Sequence, residues 1–486
     1  MPGTTDPQLH HRGEPTIVVS TPIVVAPAID FGSVRAEFGL EESFPAEALA
    51  EALAHTDRFA GHRDDRTDLP LVTIDPPGSM DLDQALHLDR TSDGFVLHYA
   101  IADVYAVVEP GGALDAETHR RGQTFYLPDG SVPLHPRELS ESAASLLPGA
   151  VRPAVLWRIE TDEHAEPVAV TVRRALVRSV ARLDYAGVQR DADAGSLHPS
   201  IRALPEFGRL RKAAALARGA IELRLPEQDV VPDGDGWKLV LQPRTEADDW
   251  NSHVSLLTGM CAANMMIEAK AGLLRTLPSA DPEAVTALRR TAAALGVPWP
   301  ADLTVGVFLA GLDANDPSTL VLMSEAPTLL RGASYAAFDG ELPDATLHGA
   351  IGAPYAHVTA PLRRLSDRYA TEVCLAVSSG TEIPVHVRDR LPTLPKVMSS
   401  SDTLSARIAR ACIDLAEVRV LQDRVGDEFA ATVLAEATDR RDAEVYLPSE
   451  MVIGRCAGAP PEGQRVRVRL EVADPETRTV RFTYAS

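Results

Sequence analysis

The sequence predicts an α+β fold in which mixed sheets are surrounded by helices, followed by a small C-terminal β-barrel of the OB type. Three observations carry this reading. Strand-like texture fills residues 70–108 and returns after 154. Helical spacing dominates 205–224, 250–276 and about 402–424. After Gly426, five or so short β-like runs follow one another to the end of the chain.

In chain order, SFPAEALAEALAHTDRFA at 43–60 has Ala-rich helical character with Pro45 in its first turn, and HRDDRTD reads as a connector. LVTID, QALHLDR and FVLHYAIADVYAVV are strand-like, the last two joined by a turn at Ser92-Asp93-Gly94. A loop-rich stretch at 133–153 precedes VLWRIETDEHAEPVAVTVRRALVRS, which alternates as a hairpin does. Trp250, Val254, Leu257, Cys261 and Met265 recur three or four residues apart, which lines one face of a helix. Pro232-Asp233-Gly234-Asp235-Gly236 marks a turn leading into a short hairpin. A further helix is expected to begin near Pro361, and the domain bounds expected are 1–65, 66–424 and 425–486.

Composition narrows the function. The chain has 486 residues, long enough for several cores, and 45% hydrophobic with 24% charged residues is ordinary for globular proteins. A formal net charge of −22 opposes indiscriminate adhesion to nucleic acid or anionic lipid. Any nucleic-acid chemistry therefore needs a local positive feature. The tail supplies one candidate in Arg465, Arg467, Arg469, Arg478 and Arg481, which read equally well as a solvated strand face or as an RNA-contacting one. TIVVSTPIVVAPAIDF is broken by Pro22 and Pro27 and is too short to span a membrane. The amino terminus has no secretory pattern, and the four cysteines lie far apart, so a reducing cytoplasm is expected. The chain is expected to act as a monomer.

The stretch LVTIDPPGSMDLDQALHL gathers Asp75, Asp81 and Asp83 between two apolar runs. Pro76-Pro77-Gly78 forces the chain out of the first strand and around a turn. Asp81 and Asp83, at i and i+2 in extended structure, then point to one face. Close carboxylates repel unless a cation sits among them, one holds a proton, or water screens them. Hard divalent ions favour such oxygen donors, which suits metal-assisted attack on a phosphodiester. The same spacing also suits aspartates that simply cap turns at strand ends.

TIDPPGSMDLDQA resembles the signature of the RNB exoribonucleases, the ribonuclease II and ribonuclease R family, whose pattern is T-I-D, five residues, D-x-D-D-A. The resemblance continues through YLP and LS-x-x-x-x-SL elements between 99 and 154, and PYAHVTAPLRRLSDRY at 354–369 is similar to the family's Y-x-H-x-T-S-P-I-R-R-Y-x-D. It implies an RNB catalytic domain with an OB-type RNA-binding tail, and a processive 3′→5′ exoribonuclease that hydrolyses single-stranded RNA to nucleoside 5′-monophosphates with Mg²⁺ or Mn²⁺. It also implies roles for particular residues. Asp75, Asp81 and Asp83 hold the metal, with Asp83 weighing most on catalysis. Arg363, with Arg364, stabilises charge on the phosphate, and Tyr126 stacks on a terminal base. Tyr355, His357 and Thr359 contact substrate.

The chain departs from the pattern in several places. Gln84 stands where the family has a fourth aspartate, and its amide oxygen remains a candidate metal ligand at lower site charge. Ala360 replaces a serine, Leu365 an aromatic, and Leu257, Thr258 and Ala409 stand where glutamates are common in the family. Gln84 and the altered stacking positions motivate a competing reading, a catalytically weakened RNB-fold RNA-binding regulator, and a metal phosphoesterase acting on small nucleotides or DNA is a third. In the local sequence, Pro361 predicts a helix starting at Thr359 or Ala360, with Asp367 placed to orient Arg363.

Overall fold

Pro76, Pro77 and Gly78 decide where the main sheet is interrupted. In this computed structural model, which describes residues 29–223, 227–234, 236–242, 244–313, 317–439 and 441–484, Leu71–Ile74 is a strand and the chain then turns with Gly78 at φ +87°. A left-handed φ of this kind carries no Cβ penalty at glycine. Backbone pairing resumes at Gln84, immediately after Asp83.

The main sheet contains β1 (Asp64–Asp65), β2 (Leu71–Ile74), β3 (Gln84–Arg90), β4 (Phe95–Ala102), β5 (Val151–Thr161) and β6 (Pro167–Leu183). Their order is β1-β6-β2-β3-β4-β5, and β5 also pairs with β6. The 17-residue β6 makes this double pairing possible. Its first part runs antiparallel to β5, while Ser179 and Ala181–Leu183 run parallel to β2. Pairing from β2 through β5 to β6 thus returns to β2. The ladder β3–β4 holds Gln84 opposite Ile101 and Leu86 opposite Tyr99.

Against this sheet packs α1 (Glu246–Ala269), started by a capping box in which Thr245 and Asp248 satisfy each other's backbone N–H groups. Trp157, Tyr99, Phe95 and Phe207 join Trp250, Val254, Leu257 and Cys261 of α1 in the largest core. Burying each large apolar side chain contributes roughly 1.5–3 kcal/mol relative to exposure. Gly259 has no side chain because a Cβ there would collide with the Tyr355 ring. Among the other helices of this part are α2 (Leu365–Ser379) and α3 (Leu394–Leu421).

The tail is a closed five-stranded barrel of β7 (Glu428–Ala435), β8 (Ala443–Leu447), β9 (Val452–Ala457), β10 (Arg465–Asp474) and β11 (Thr479–Tyr484), ordered β7-β8-β9-β11-β10. Its inward Phe429, Val468 and Phe482 share a core with Ile408, Cys412 and Leu415 of α3. Arg465, Arg467 and Arg469 alternate outward along β10 and Arg481 is exposed on β11, whereas Arg478 is tied to Glu37 at 2.6 Å.

Several local expectations are corrected by long-range pairing. The helix expected over 250–276 ends at Ala269; Lys270 turns left-handed at φ 54°, and Ala271–Thr276 is a strand paired with Ser334–Asp339. An apolar run of that length suits helix or strand equally, so its distant partner decides. The helix expected over 205–224 stops at Ala217. Pro45 precedes the helix Ala46–Leu53 as its N-cap rather than lying within the first turn. The apolar run at 16–28 and Asp235 of the expected turn lie outside the described residues. All four cysteines are free and buried, and no helix among the described residues is long and apolar enough to cross a membrane.

Candidate active site

Asp83 follows the Pro-Pro-Gly excursion and is only 4% exposed. Its Oδ1 accepts from the backbone N–H of Leu362 at 2.7 Å, and its Oδ2 accepts from Arg363 Nε at 3.3 Å. Asp81 is half-buried and accepts from the Tyr126 hydroxyl at Oδ2, 3.1 Å away. Asp75, at the end of β2, has a buried Oδ2 with no hydrogen-bond partner. The excursion thus places two carboxylates that are each committed to a protein donor beside a third that keeps a bare oxygen.

Burial pushes the Asp75 carboxyl up to about 6 and that of Asp83 up to about 8. Arg363 pulls both down, and Asp81 pushes both up. A carboxyl that binds its proton more tightly in the folded state adds stability at acid pH, and loses that contribution as pH rises through its folded value. Asp75→Asn is therefore expected to raise the melting temperature by a few degrees at pH 8 in a chelator, on the order of 2 kcal/mol. The gain should fade toward pH 5. Differential scanning fluorimetry across that range checks it, and an equal gain at both ends would contradict the cause given.

The turn that answers these carboxylates spans Thr359–Arg364. α2 starts only at Leu365, because Arg364 is extended and bridges Gln123, while Thr124 N donates to Arg363 O at 3.0 Å. The expected helix start at Thr359 or Ala360 is corrected accordingly. The expected pairing of Asp367 with Arg363 is corrected too. Asp367 is fully buried, takes Ala360 N–H at 2.7 Å, and holds Arg364 through Nε at 3.1 Å and Nη2 at 3.0 Å. Arg364 is thus engaged as a two-point ion pair, and its guanidinium is held charged, above its usual value. Arg363, 43% exposed at its side chain, makes only the Nε contact to Asp83 among the described residues, so its terminal nitrogens are free for an anion.

The remaining candidates divide. Tyr126 is 52% exposed, so one end of the ring is held at Asp81 while its surface is open. Tyr355 is buried against His357 at a ring separation of 5.4 Å, and His357 Nδ1 meets the Tyr335 hydroxyl at 2.9 Å. Burial holds His357 neutral, well below the ordinary imidazole value. Thr359 is buried, and its carbonyl accepts from Gln84 Nε2 at 2.7 Å. The Gln84 amide oxygen, a candidate metal ligand by sequence, instead accepts from the Tyr99 and Ser255 hydroxyls.

A cleft of about 480 Å³ runs up to Gln84, Thr359, Arg363 and Arg364, with Tyr355 on its wall. Sequence reasoning missed Arg211, Lys212, Arg218 and Arg244, which also line it. The signal was present as the i, i+7 spacing of Arg211 and Arg218 along one helix and its C-cap. Glu166 pairs with Arg211 at 2.9 Å and with Arg218 at 3.0 Å, and Asp249 pairs with Lys212 at 3.0 Å. Arg244 lies 3.6 Å from Asp249 as well, and among the described residues Glu222 is the one carboxylate in the lining against six cations, a local positive bias in an acidic chain that suits a polyanionic ligand.

Buried carboxylates facing a guanidinium that lines a cleft, on an α+β domain that ends in a closed barrel, have the donor set that phosphodiester chemistry requires. The model of the RNB domain matches residues 63–378, and that of the RNase II-type exonuclease C-terminal S1 domain matches 427–485. The chain belongs to the RNB exoribonuclease family. It is 28% identical over 395 residues to the exosome complex exonuclease RRP44 homolog A of Arabidopsis thaliana, covering 76% of this chain and 42% of that protein. Over 504 residues it is 30% identical to ribonuclease R of Escherichia coli K12, covering 92% of this chain and 59% of the relative. The chain thus spans about two fifths to three fifths of these relatives. Its fold matches the apo form of Mycoplasma genitalium RNase R with a TM-score of 0.83 at 19% identity, covering 94% of this chain and 77% of the other. The same enzyme in complex with ribose-methylated single-stranded RNA and with double-stranded RNA matches with TM-scores of 0.83 and 0.82.

Proposed function

We propose that this chain is a 3′→5′ exoribonuclease that hydrolyses single-stranded RNA processively to nucleoside 5′-monophosphates, acting as a cytoplasmic monomer with Mg²⁺ or Mn²⁺. In this reading 66–424 is the catalytic unit, 425–486 the RNA-binding barrel and 1–65 an N-terminal segment. The observation that carries it is the Asp83–Arg363 pair, with the guanidinium lining a cleft that five further cations share.

The residues present fit a hard divalent cation. Among the described residues no three Asp, Glu, His or Cys side chains form a ready-made metal cage. Mg²⁺ does not need one, since one or two carboxylates plus water and substrate phosphate commonly hold it. The bare Oδ2 of Asp75 and the half-buried Asp81 are the donors that would do so, with Asp83 behind them. When bound, such a cation supplies Lewis-acid polarisation of the phosphoryl oxygens.

The protein's own part is positioning and charge. Arg363 donates its terminal N–H groups to the scissile phosphate as negative charge builds there. Asp83 holds that guanidinium at Nε and orients the attacking water at Oδ2. Water's oxygen bonds to phosphorus as the bond to the 3′ oxygen of the penultimate nucleotide breaks, so the released nucleotide keeps its 5′ phosphate. Tyr126 offers a π surface to a terminal base, a contact that tolerates any sequence. Arg364 serves by fixing the turn through Asp367, and Tyr355 and Thr359 border the path of the strand.

A time course on 5′-end-labelled single-stranded RNA with Mg²⁺, Mn²⁺ or chelator tests the proposal. The expected result is 3′ shortening to mononucleotides only with metal. RNA that stays intact yet shifts on a native gel would replace the enzyme with an RNA-binding regulator, and equal cleavage of DNA or free nucleotides would point to a broader phosphoesterase.

A further inference from the structure

We propose that Gln84 is a positioning residue of this site, an uncharged strut between the strand of the carboxylates and the turn that carries Arg363, and that it takes no place among the metal ligands. The inference rests on the ribonuclease reading above. An amide offers two donors on nitrogen and two lone pairs on oxygen. Gln84 Nε2 donates to Thr359 O at 2.7 Å. A carbonyl only accepts, so this contact identifies the nitrogen and places the oxygen on the opposite side. There Oε1 accepts from the Tyr99 hydroxyl, and Ser255 Oγ, with one proton to give, lies 3.4 Å from Oε1 and 2.8 Å from the Tyr99 oxygen. Tyr99 on β4 and Ser255 on α1 thus close around Oε1, so the amide is engaged by protein groups at both ends.

An amide is the group this position needs. A carboxylate here would set its lone pairs against the Thr359 carbonyl and add a second buried charge next to Asp83. Besides the Thr124 N–H bond to Arg363 O, the turn is held by side chains at four backbone atoms. Gln84 takes Thr359 O, Asp367 takes Ala360 N, Asp83 takes Leu362 N, and His135 Nδ1 takes Leu362 O at 2.9 Å. Arg363 is the next residue, so its direction toward the phosphate is inherited from these anchors.

Gln84→Ala and the near-isosteric Gln84→Glu test this by three readouts: Mn²⁺ affinity by calorimetry without RNA, hydrogen exchange of residues 359–364, and the steady-state constants on RNA. For Gln84→Ala the expectation is a Mn²⁺ Kd within about threefold of wild type, exchange in the turn about tenfold faster, and kcat lowered about tenfold with KM nearly unchanged. Gln84→Glu keeps the length but loses the donor, so it should show the same faster exchange even if the alanine variant folds poorly. A Mn²⁺ affinity more than about a hundredfold weaker in Gln84→Ala, beyond what the loss of a supporting residue costs, would make Gln84 a ligand and overturn the proposal. Unchanged exchange in both variants would overturn it as well. A wild-type protein that cuts no RNA sinks the ribonuclease reading instead, and the exchange and Mn²⁺ measurements then still judge Gln84.

Discussion

Asp83→Asn is expected to lower kcat on single-stranded RNA by about 10³-fold or more while RNA affinity stays within about threefold. The substitution is close to isosteric, and its oxygen still accepts from Leu362 N–H, so the turn stays in place. What disappears is the Oδ2 that accepts from Arg363 Nε and that becomes negative once Asp83 ionises. An amide NH₂ there sets donor against donor and turns the guanidinium away from the phosphate. Stability provides the control. Burial holds the Asp83 carboxyl up at about 8, so near neutral pH its ionisation is a cost to the fold, and removing it should not lower the melting temperature. Single-turnover cleavage, filter binding and fluorimetry together check the prediction. Near-normal turnover would remove Asp83 from the chemistry.

Arg363→Lys is expected to lower kcat by about 10²- to 10³-fold, and Arg363→Ala by at least as much. A guanidinium can give Nε to Asp83 and its terminal nitrogens to a phosphate at once. A lysine has one nitrogen for both tasks. The alanine variant also leaves Asp83 buried with no cation opposite, and since Arg363 pulls both Asp75 and Asp83 down, removing it sends both carboxyls higher. Hydrolysis that needs them ionised then begins at higher pH. The acid limb of the pH–rate profile should accordingly move to higher pH in Arg363→Ala relative to wild type. A limb that stays where it was would show that the guanidinium does not govern these groups.

The carboxylate cluster was legible because its signal is local: two prolines and a glycine end one strand, and the aspartates follow within a few residues. The barrel was legible for a related reason, since short alternating runs separated by turns leave closure as the economical way to satisfy strand edges. The candidate cations were harder. Arg363 lies 280 residues from Asp83 along the chain, and local spacing paired it with Asp367 instead. Asp367 turned out to hold Arg364 and the Ala360 amide, and the helix start moved to Leu365 because residues 123 and 124 bond the preceding backbone. Gln84 illustrates the same limit. Its type was read as a weakened ligand, whereas its partners come from β4, from α1 and from the turn at Thr359.

By itself the sequence determined where most of the strands and helices fall, that an acidic chain would need an internal positive surface, and that three aspartates would stand at one break in a sheet. These follow from periodicity, turn chemistry and charge, which act over a few residues or over the whole composition. Only the tertiary structure decided which donor each carboxylate meets, which arginine stays open to a phosphate, and that Arg211, Lys212, Arg218 and Arg244 line the cleft. Hydrogen bonds and ion pairs act over a few ångströms of space, and residues hundreds of positions apart come within that range only once the core has packed.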